Sequence, residues 1–450
     1  MLDIAPETNE VIDEIRRSVA ALCEKFPGEY WREQDRERAY PTEFVKALTD
    51  AGFLAVLVPE EYGGSGLPIS AAAAVLEEIH KSGCNGGACH AQMYIMGTVL
   101  RHGSPEQKQK FLPKIASGEL RLQAFGVSEP TSGTDTLSLR TTAVKKGNDR
   151  YVVNGQKIWT SRAEHSDLML LLARTTPREE VQKKTDGLSV FLVDMQESLK
   201  KGMEIRPIRT MINHSTTEIF FDELEIPADS LIGEEGKGFR YILDGMNAER
   251  ILIAAECVGD ARYFIERAAA YASEREVFGG PIGQNQGVQF PIARAYTQMR
   301  AADALVTQAI ELFDAGEPCG SEANMAKMVA SEASWFAGDT GYDEQLFKRI
   351  GKKQGPFDLA IIPIGTYGPR YFMLPMHVDP DQAVLIHKDV RSKKSIPVHW
   401  GTFQLSYEPF LEPPALLAEA LKKNELHEDQ FNSIKIGETV ELKNFNELAK

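Results

Sequence analysis

The spacing of apolar residues changes twice along most of this chain, and the resulting order restricts the fold. In residues 1–119 apolar side chains recur every three to four positions, which is typical of helices that pack by one face. Residues 120–232 contain short β-rich runs divided by Gly, Asn and Asp, and residues 233–335 return to long helical stretches. We therefore predict an N-terminal helical domain, a β domain that is a barrel or sandwich, and a C-terminal helical bundle.

The same patterns place individual elements. The predicted helices are Val11–Phe26, Glu43–Ala51, Ala71–His80, Pro105–Ile115, Gly238–Arg275 and Val288–Ala315. The predicted strands are Gln123–Val127, Arg150–Val153, Lys157–Trp159, Leu168–Ala173, Leu188–Val193 and Glu218–Phe221. Asn154 and Gly155 predict a tight hairpin turn, because these residue types tolerate the positive φ angles that such a turn requires.

Composition changes near Trp335, and this change marks a fourth region. Residues 336–450 hold 14 Lys and Arg against 16 Asp and Glu, so most of the net charge of −15 lies in residues 1–335. Nine of the 23 prolines also fall in residues 336–450. We predict that residues 336–450 form a separate segment with a different origin.

The whole-chain composition excludes several classes of protein. A net charge of −15 and a pI near 5.2 argue against a binder of nucleic acid or of an anionic lipid surface. No apolar run approaches the ~20 residues that span a bilayer, and the first residues show no signal or transit peptide. Five widely spread cysteines favour reduced thiols over a disulfide framework.

The stretch FGVSEPTSGTD, residues 125–135, is the most informative motif. It concentrates hydroxyls, backbone donors and small residues in one turn, which suits close approach by a polar ring or a phosphate. A loop capped by Ser and Thr side chains would show the same composition. Trp159, Thr160 and Ser161 add an aromatic plate and two hydroxyls at a strand end, although an ordinary half-buried Trp is the simpler interpretation.

Taken together, these motifs resemble the acyl-CoA dehydrogenase family. The resemblance covers residues 1 to about 335 and continues in the expected order through KIWTS, GEEGKGF, GMNAERILIA and SEREVFGGPIGQNQGVQFPIA. It implies that FAD binds in a cleft between the β domain and the C-terminal helices. It also implies a homo-oligomer, because some residues of the motif reach the FAD of a neighbouring subunit.

The resemblance assigns a role to each matching position. The residues that it implies for FAD are Phe125, Val127, Ser128, Gly133, Thr134, Trp159, Thr160, Ser161, Arg275, Phe278 and Gln286. Of these, Arg275, Phe278 and Gln286 match the positions that reach the neighbouring subunit, and Thr134 also matches a position near the CoA phosphates.

The resemblance also identifies Glu249 as the candidate catalytic base. Some subfamilies place the base on the helix that begins GMNAER, and Glu249 occupies that position. A Glu in the first turns beside Arg250 is also a common way to favour a helix dipole, so without the family this simpler reading would be preferred. Asn247 and Arg250 become candidates for contact with the substrate or CoA.

The implied reaction is the α,β-dehydrogenation of an acyl-CoA thioester. A carboxylate base removes the α-proton, aimed donors stabilise the developing enolate, and the flavin accepts a hydride from the β-carbon. The expected electron acceptor is an electron-transfer flavoprotein. We expect a cytoplasmic location, with the mitochondrial matrix as the alternative.

The dehydrogenase resemblance stops before the end of the bundle. The Gly-Gly turn and the two final helices of the family are missing, including a segment that supplies a backbone donor to the thioester carbonyl. Removing one such donor costs about a hundredfold or more in comparable sites, so reduced activity is a possible outcome.

Residues 336–450 instead resemble the C-terminal part of N-acyl-phosphatidylethanolamine-hydrolysing phospholipase D, a zinc enzyme of the metallo-β-lactamase fold. The motifs are FAGDTGY, GPFDLAIIPIG, HVDP, SKKS, HWGTF and LEPP. Asp339 matches a metal-bridging carboxylate and His399 a metal ligand, whereas a turn-capping Asp and a buried His are the alternatives. The ligand cluster His-x-His-x-Asp-His is absent from the sequence, so we expect no bound zinc and no hydrolase activity.

The predicted fold class is therefore multidomain α+β, with an acyl-CoA dehydrogenase-like part followed by a partial metallo-β-lactamase-like α/β fragment. Three functions remain open at this point. They are an FAD-dependent acyl-CoA dehydrogenase, a zinc-dependent phospholipase of N-acylated lipids, and a non-catalytic fusion of two incomplete folds. The first is favoured because the motifs and the candidate base are retained.

Overall fold

The computed structural model of this protein describes residues 6–431 with several short exceptions. The exceptions are residues 134, 211–212, 278, 335–341, 343, 354, 358–359, 366, 369, 371–376, 399–407 and 410. The chain divides into two compact units, residues 1–335 and residues 336–450.

The first unit begins with helices. They are α1 (Pro6–Cys23), α2 (Gly28–Glu37), α3 (Thr42–Asp50), α4 (Ile69–Lys81), α5 (His90–His102) and α6 (Pro105–Ser117). The predicted start of α6 is confirmed, because Ser104 and Gln107 form a reciprocal capping box and Pro105 follows at the first helical position. Helix α4 is buried from Ala71 to Ile79, since α1 and α8 both pack against it.

An eight-stranded sheet follows. Its strands are β1 (Leu122–Gly126), β2 (Thr142–Lys146), β3 (Arg150–Ser161), β4 (Leu168–Arg174), β5 (Leu188–Asp194), β6 (Met203–Pro207), β7 (Thr216–Pro227) and β8 (Leu231–Ile232), with a short helix α7 (Met195–Ser198) after β5. The order is β6-β7-β3-β2-β4-β5-β8, and β1 pairs in parallel with β4. β4 is buried along its whole length, which its apolar sequence LMLLLAR requires.

The hairpin turn predicted at Asn154 and Gly155 is wrong. Strand β3 continues through both residues, and its pairing with β7 shifts register between Val153 and Gly155. The Asn154 side chain bonds laterally to Glu223 of β7, donating to its carboxylate at 2.7 Å and accepting from its N–H at 2.8 Å. The tolerance of unusual φ angles that suggested a turn is used here for a β-bulge.

Three long helices and a small hairpin complete the first unit. They are α8 (Gly238–Glu274), β9 (Glu276–Val277), β10 (Gly280–Pro281), α9 (Gln286–Asp314) and α10 (Gly320–Ser334). Helix α8 lies very close to α4, because a Cβ atom on Gly259 would stand 2.3 Å from the carbonyl oxygen of Glu77. This contact fixes the position of α8 within the first unit.

The described part of the second unit contains a parallel pair of strands and three helices. They are α11 (Glu344–Lys353), β11 (Ala360–Pro363), α12 (Pro380–Asp389), β12 (Ser395–Val398) and α13 (Glu412–Lys423). Asp379 accepts a hydrogen bond from the N–H of Gln382 and so caps the start of α12. Ile364, Val384, Leu417 and Phe431 are among the residues that form its own core.

Candidate active site

Two motifs that lie about thirty residues apart in sequence meet at the end of β3. Strand β2 pairs with β3 only at residues 150–154, so the last residues of β3 form an open edge of the sheet on that side. Lys157 Nζ donates to the carbonyl oxygen of Val127 at 3.0 Å. The N–H of Ile158 donates to the carbonyl oxygen of Ser128 at 3.0 Å. These two bonds align the 125–135 segment with the strand that carries Trp159.

A buried ion pair fixes this junction. Lys157 Nζ lies 2.8 Å from Glu129 Oε1, and the side chain of Lys157 has no exposed surface. Glu129 also accepts the N–H groups of Arg140 and Thr141 at 2.6 and 2.9 Å. Burial lowers the pKa of Lys157 to about 8, against the field of Glu129. Burial alone would raise the pKa of Glu129, but Lys157 and the two N–H donors bring it below its usual range.

Trp159 is held in a strained and exposed conformation. Its φ angle is +62°, although it lies within β3, and the pairing with β7 shifts register between Lys157 and Thr160. The indole remains 42% exposed. Thr160 points inward and is buried, and Thr217 Oγ1 donates to its carbonyl oxygen at 2.8 Å. A positive φ on a large aromatic residue is costly, and such strain is concentrated at functional sites.

Ser161 follows with its hydroxyl already oriented. Asn213 Nδ2 donates to Ser161 Oγ at 2.9 Å, so the serine proton is left to donate elsewhere. Asn213 itself has a φ angle of +54°. The sequence interpretation missed Asn213, because its contact depends on the pairing of β3 with β7.

The other positions implied for FAD are distributed over two regions. Phe125 is partly buried against the helical core, Val127 is buried, and Gly133 lies in the exposed part of the loop. Arg275 and Gln286 are exposed residues that flank the β9–β10 hairpin. Thr134 and Phe278 lie outside the described residues.

Glu249 lies partly buried on α8, where this helix packs against α5 and α10. Burial raises the pKa of Glu249, and the positive charges of Arg250 and Lys327 oppose the shift. The phenol of Tyr94 on α5 is close enough that the charge of Glu249 adds to the effect of burial in raising the pKa of Tyr94. A carboxylate with a raised pKa in a partly dry setting is suited to accept a proton.

Asn247 and Arg250 lie beside Glu249 but are engaged with each other. Arg250 Nη1 donates to Asn247 Oδ1 at 3.2 Å. The amide of Asn247 lies next to Gly320, the first residue of α10. Both side chains are partly exposed, so a ligand at this end of α8 could reach them.

Comparison with protein families gives a direct match to this arrangement. The family models "Acyl-CoA dehydrogenase, N-terminal domain", "middle domain" and "C-terminal domain" match residues 9–119, 124–224 and 236–342 in that order. The chain belongs to the acyl-CoA dehydrogenase family. The resemblance predicted from the motifs is thereby confirmed.

Individual relatives of the acyl-CoA dehydrogenase family agree. An acyl-CoA dehydrogenase of Bacillus subtilis is 37% identical over 298 residues, which are 66% of this chain and 77% of the relative. Cyclohex-1-ene-1-carbonyl-CoA dehydrogenase of Syntrophus aciditrophicus is 37% identical over 318 residues, 68% of this chain and 72% of the relative. The structure of butyryl-CoA dehydrogenase from Megasphaera elsdenii superposes with a TM-score of 0.68 at 25% identity, covering 79% of this chain and 90% of that one. The predicted dehydrogenase fold is confirmed.

Acyl-CoA dehydrogenases are flavoproteins, and the residues at the sheet edge suit FAD. Trp159 presents an indole that is 42% exposed, and Ser161 offers a hydroxyl proton that Asn213 leaves free. The ion pair of Lys157 and Glu129 is internal to the protein, so it can support the loop without contributing to the ligand surface. FAD therefore fits the chemistry of these side chains.

A fourth family model, "Beta-lactamase superfamily domain", matches residues 320–400, a range that includes the last helix of the first unit and much of the second unit. The predicted metal residues Asp339 and His399 lie outside the described residues. Among the described residues, no group of three His, Cys, Asp or Glu side chains is placed to hold a metal ion. His387 of α12 is buried, its Nδ1 lies 2.8 Å from Ser395 Oγ, and its ring stacks on Phe431.

In the described part of the chain, no helix is long and apolar enough to cross a bilayer.

Proposed function

We propose that this chain catalyses the FAD-dependent α,β-dehydrogenation of an acyl-CoA thioester. The observation that carries the proposal is the junction of the 125–135 segment with the strained Trp159–Ser161 stretch. It supplies an aromatic face and a free hydroxyl proton at one sheet edge, in a chain whose three domains match the family. When bound, FAD supplies the acceptor for a hydride from the β-carbon.

In this proposal Glu249 is the base that takes the α-proton. Its raised pKa gives the ionised carboxylate more affinity for a proton than an exposed Glu has. Asn247 and Arg250, whose hydrogen bond orients both side chains, contact the substrate or the CoA moiety.

We propose a homo-oligomer in which Arg275 and Gln286 contact the FAD of a neighbouring subunit. Arg275 follows Glu249 by 26 residues on one helix, so about 39 Å separates them along the axis. A residue so far from the base cannot serve a flavin beside it. The same end of the bundle exposes large apolar side chains, namely Phe264, Tyr271, Val277, Phe290 and Tyr296.

The proposed electron acceptor is an electron-transfer flavoprotein, and the proposed location is the cytoplasm. The bacterial relatives support this location. A zinc-dependent phospholipase activity of residues 336–450 is not favoured, because the sequence lacks the cluster His-x-His-x-Asp-His.

The visible absorbance spectrum of the purified chain tests the proposal. A flavin spectrum that bleaches on anaerobic addition of acyl-CoA esters supports it, and Glu249→Gln should keep the spectrum but not bleach. Glu266→Gln, an exposed Glu of the same helix, is the matched control. A protein that stays colourless when FAD is added would refute the flavoenzyme assignment.

The oligomer has a separate test. Sedimentation of Phe264→Asp and Tyr271→Asp variants should give smaller particles, because a charge then replaces an exposed aromatic on the proposed interface. An unchanged sedimentation coefficient would contradict this interface.

A further inference from the structure

A cavity lies next to the segment that follows Ser161. Its volume is about 340 Å³, and it is bounded by α2 and the turn after it, the 85–88 turn and the 213–215 turn. Arg162, the residue after Ser161, lies on its wall. The cavity therefore adjoins the proposed flavin position.

Arg162 is a buried cation without a partner. Its exposure is 8%, and its φ angle of +59° is unusual for a non-glycine residue. In the described part of the chain its guanidinium group forms no hydrogen bond and no ion pair. The guanidinium nitrogens keep accessible surface in the cavity, and a guanidinium offers five donors in a planar fork that matches a carboxylate. This combination indicates that an anionic group completes the site.

The acidic side chains near Arg162 are already engaged. Glu256 of α8 lies 2.7 Å from His90 Nδ1 and 3.8 Å from His80 Nε2. Asp35, which also lines the cavity, lies 2.8 Å from His214 Nε2. These carboxylates contribute a negative field, but each has a direct partner other than Arg162.

Asn85 adds a neutral donor to the wall of the same cavity. Its side-chain oxygen accepts the N–H of Gly87 at 2.7 Å, which leaves its amide nitrogen available.

The contact between helices α5 and α8, which we call the seam, links this cavity to Glu249. Tyr94 lies near Glu249, whereas His90, one turn earlier on α5, bonds to Glu256. Glu249 and Glu256 are seven residues apart on one face of α8, which separates them by about 10 Å.

Two adjacent glycines connect the Glu256 end of this seam to Arg162. A Cβ on Gly86 would lie 3.2 Å from Glu256 Oε1, and a Cβ on Gly87 would lie 3.2 Å from Arg162 Nη2. Arg162 thus belongs to the end of the seam that is remote from the proposed base.

We propose that Arg162 binds the terminal carboxylate of the acyl chain, so that the preferred substrates are CoA monoesters of dicarboxylic acids. This inference rests on the proposed function, because it takes Glu249 as the position of the α-carbon. The carboxylate accepts hydrogen bonds from the guanidinium, and the chain between them spans the seam of α5 and α8. A methyl-ended chain of the same length leaves the guanidinium unpaired and binds less well.

The experiment compares dicarboxylic CoA monoesters with monocarboxylic esters of matched length, by flavin bleaching and by binding calorimetry. Arg162→Met should lower kcat/KM for the dicarboxylic esters by about 100-fold or more and change the monocarboxylic esters little. Arg162→Lys should recover part of the loss. Arg206→Met, which removes an exposed charge on β6, is the control for long-range attraction of CoA.

Other anions give distinct outcomes. If Arg162 contacted the phosphates of CoA, Arg162→Met would weaken both ester series equally. If it contacted a phosphate of FAD, the variant would lose its flavin spectrum. Either result overturns the inference, as does equal use of the two series by the unmodified protein.

Failure of the proposed function can be separated from failure of the inference. If no ester bleaches the flavin, calorimetry still decides, because preferential binding of the dicarboxylic esters that depends on Arg162 supports the site alone. If Arg162→Met does not fold, Gly87→Ala provides a second variant, since the added methyl group crowds Asn85 Oδ1 at 2.7 Å and Arg162 Nη2 at 3.2 Å, both on the wall of the cavity. An unchanged preference in Gly87→Ala would then contradict the inference.

Discussion

The two units of this protein use their buried polar groups in different ways. In residues 1–335 Trp159, Arg162 and Asn213 adopt positive φ angles close together in the fold, and Arg162 is buried without a partner. In residues 336–450 the buried His387 is bonded to Ser395 and stacked on Phe431. Strain and unpaired charge indicate a ligand site, whereas a satisfied histidine stabilises a core.

The largest expected effect is on the chemistry of the first unit. Glu249→Gln should lower the rate constant of flavin bleaching by about 10²–10⁴-fold, because an amide cannot accept the α-proton. Stopped-flow absorbance measures this rate. A loss smaller than tenfold would mean that another group is the base.

A large loss of stability is expected at the sheet edge. Lys157→Met should cost about 3–5 kcal/mol, because it leaves the carboxylate of Glu129 buried without its cation. Denaturant unfolding measures this cost, and release of flavin should accompany it. Lys201→Met, at an exposed lysine, should change the free energy of unfolding by less than about 0.5 kcal/mol. Equal effects of the two variants would show that the ion pair of Lys157 with Glu129 does not hold the 125–135 segment in place.

A smaller effect should be confined to the second unit. His387→Ala should destabilise α12 and β12 by about 2 kcal/mol, because the hydrogen bond to Ser395 and the contact with Phe431 are lost. Hydrogen exchange of the amides in these elements reports the change, and the rate of flavin bleaching should remain the same. The exposed His427 provides the control His427→Ala. A changed bleaching rate would show that the comparison between the units does not hold.

The pH dependence of bleaching should show the smallest effect. Because burial raises the pKa of Glu249, its carboxylate is protonated over a range in which an exposed Glu is ionised. The rate should therefore fall as the pH is lowered through a value above the usual 4.5 of a Glu side chain. Stopped-flow bleaching rates measured over a range of pH report this decline. A decline centred at or below pH 4.5 would contradict a base with a raised pKa.

The sequence predicted elements whose signals are local. The helix start predicted at Pro105 depends on residues within one turn, and it is confirmed by the capping box of Ser104 and Gln107. The turn at Asn154 and Gly155 was wrong, because a neighbouring strand supplied Glu223 as a lateral partner. A local pattern cannot tell a turn from a bulge when the partner lies about seventy residues away.

The candidate site also combines features that the sequence shows with features that only the tertiary structure shows. The motifs identified Glu249, Trp159 and Ser161, since each lies in a recognisable stretch of sequence. The opposite charges of Glu129 and Lys157 were visible inside those stretches, but only their burial shows that they pair.

The sequence by itself determined the family of the chain, the order of helices and strands, and the positions of the motifs. The tertiary structure decided which residues meet: Lys157 with Glu129, His90 with Glu256, and Arg162 with a cavity. Periodicity and capping act within a few residues, and they are written in the local order of the chain. Pairing between α5, α8 and β3 depends on how these elements pack, and packing is fixed by the whole set of buried side chains together.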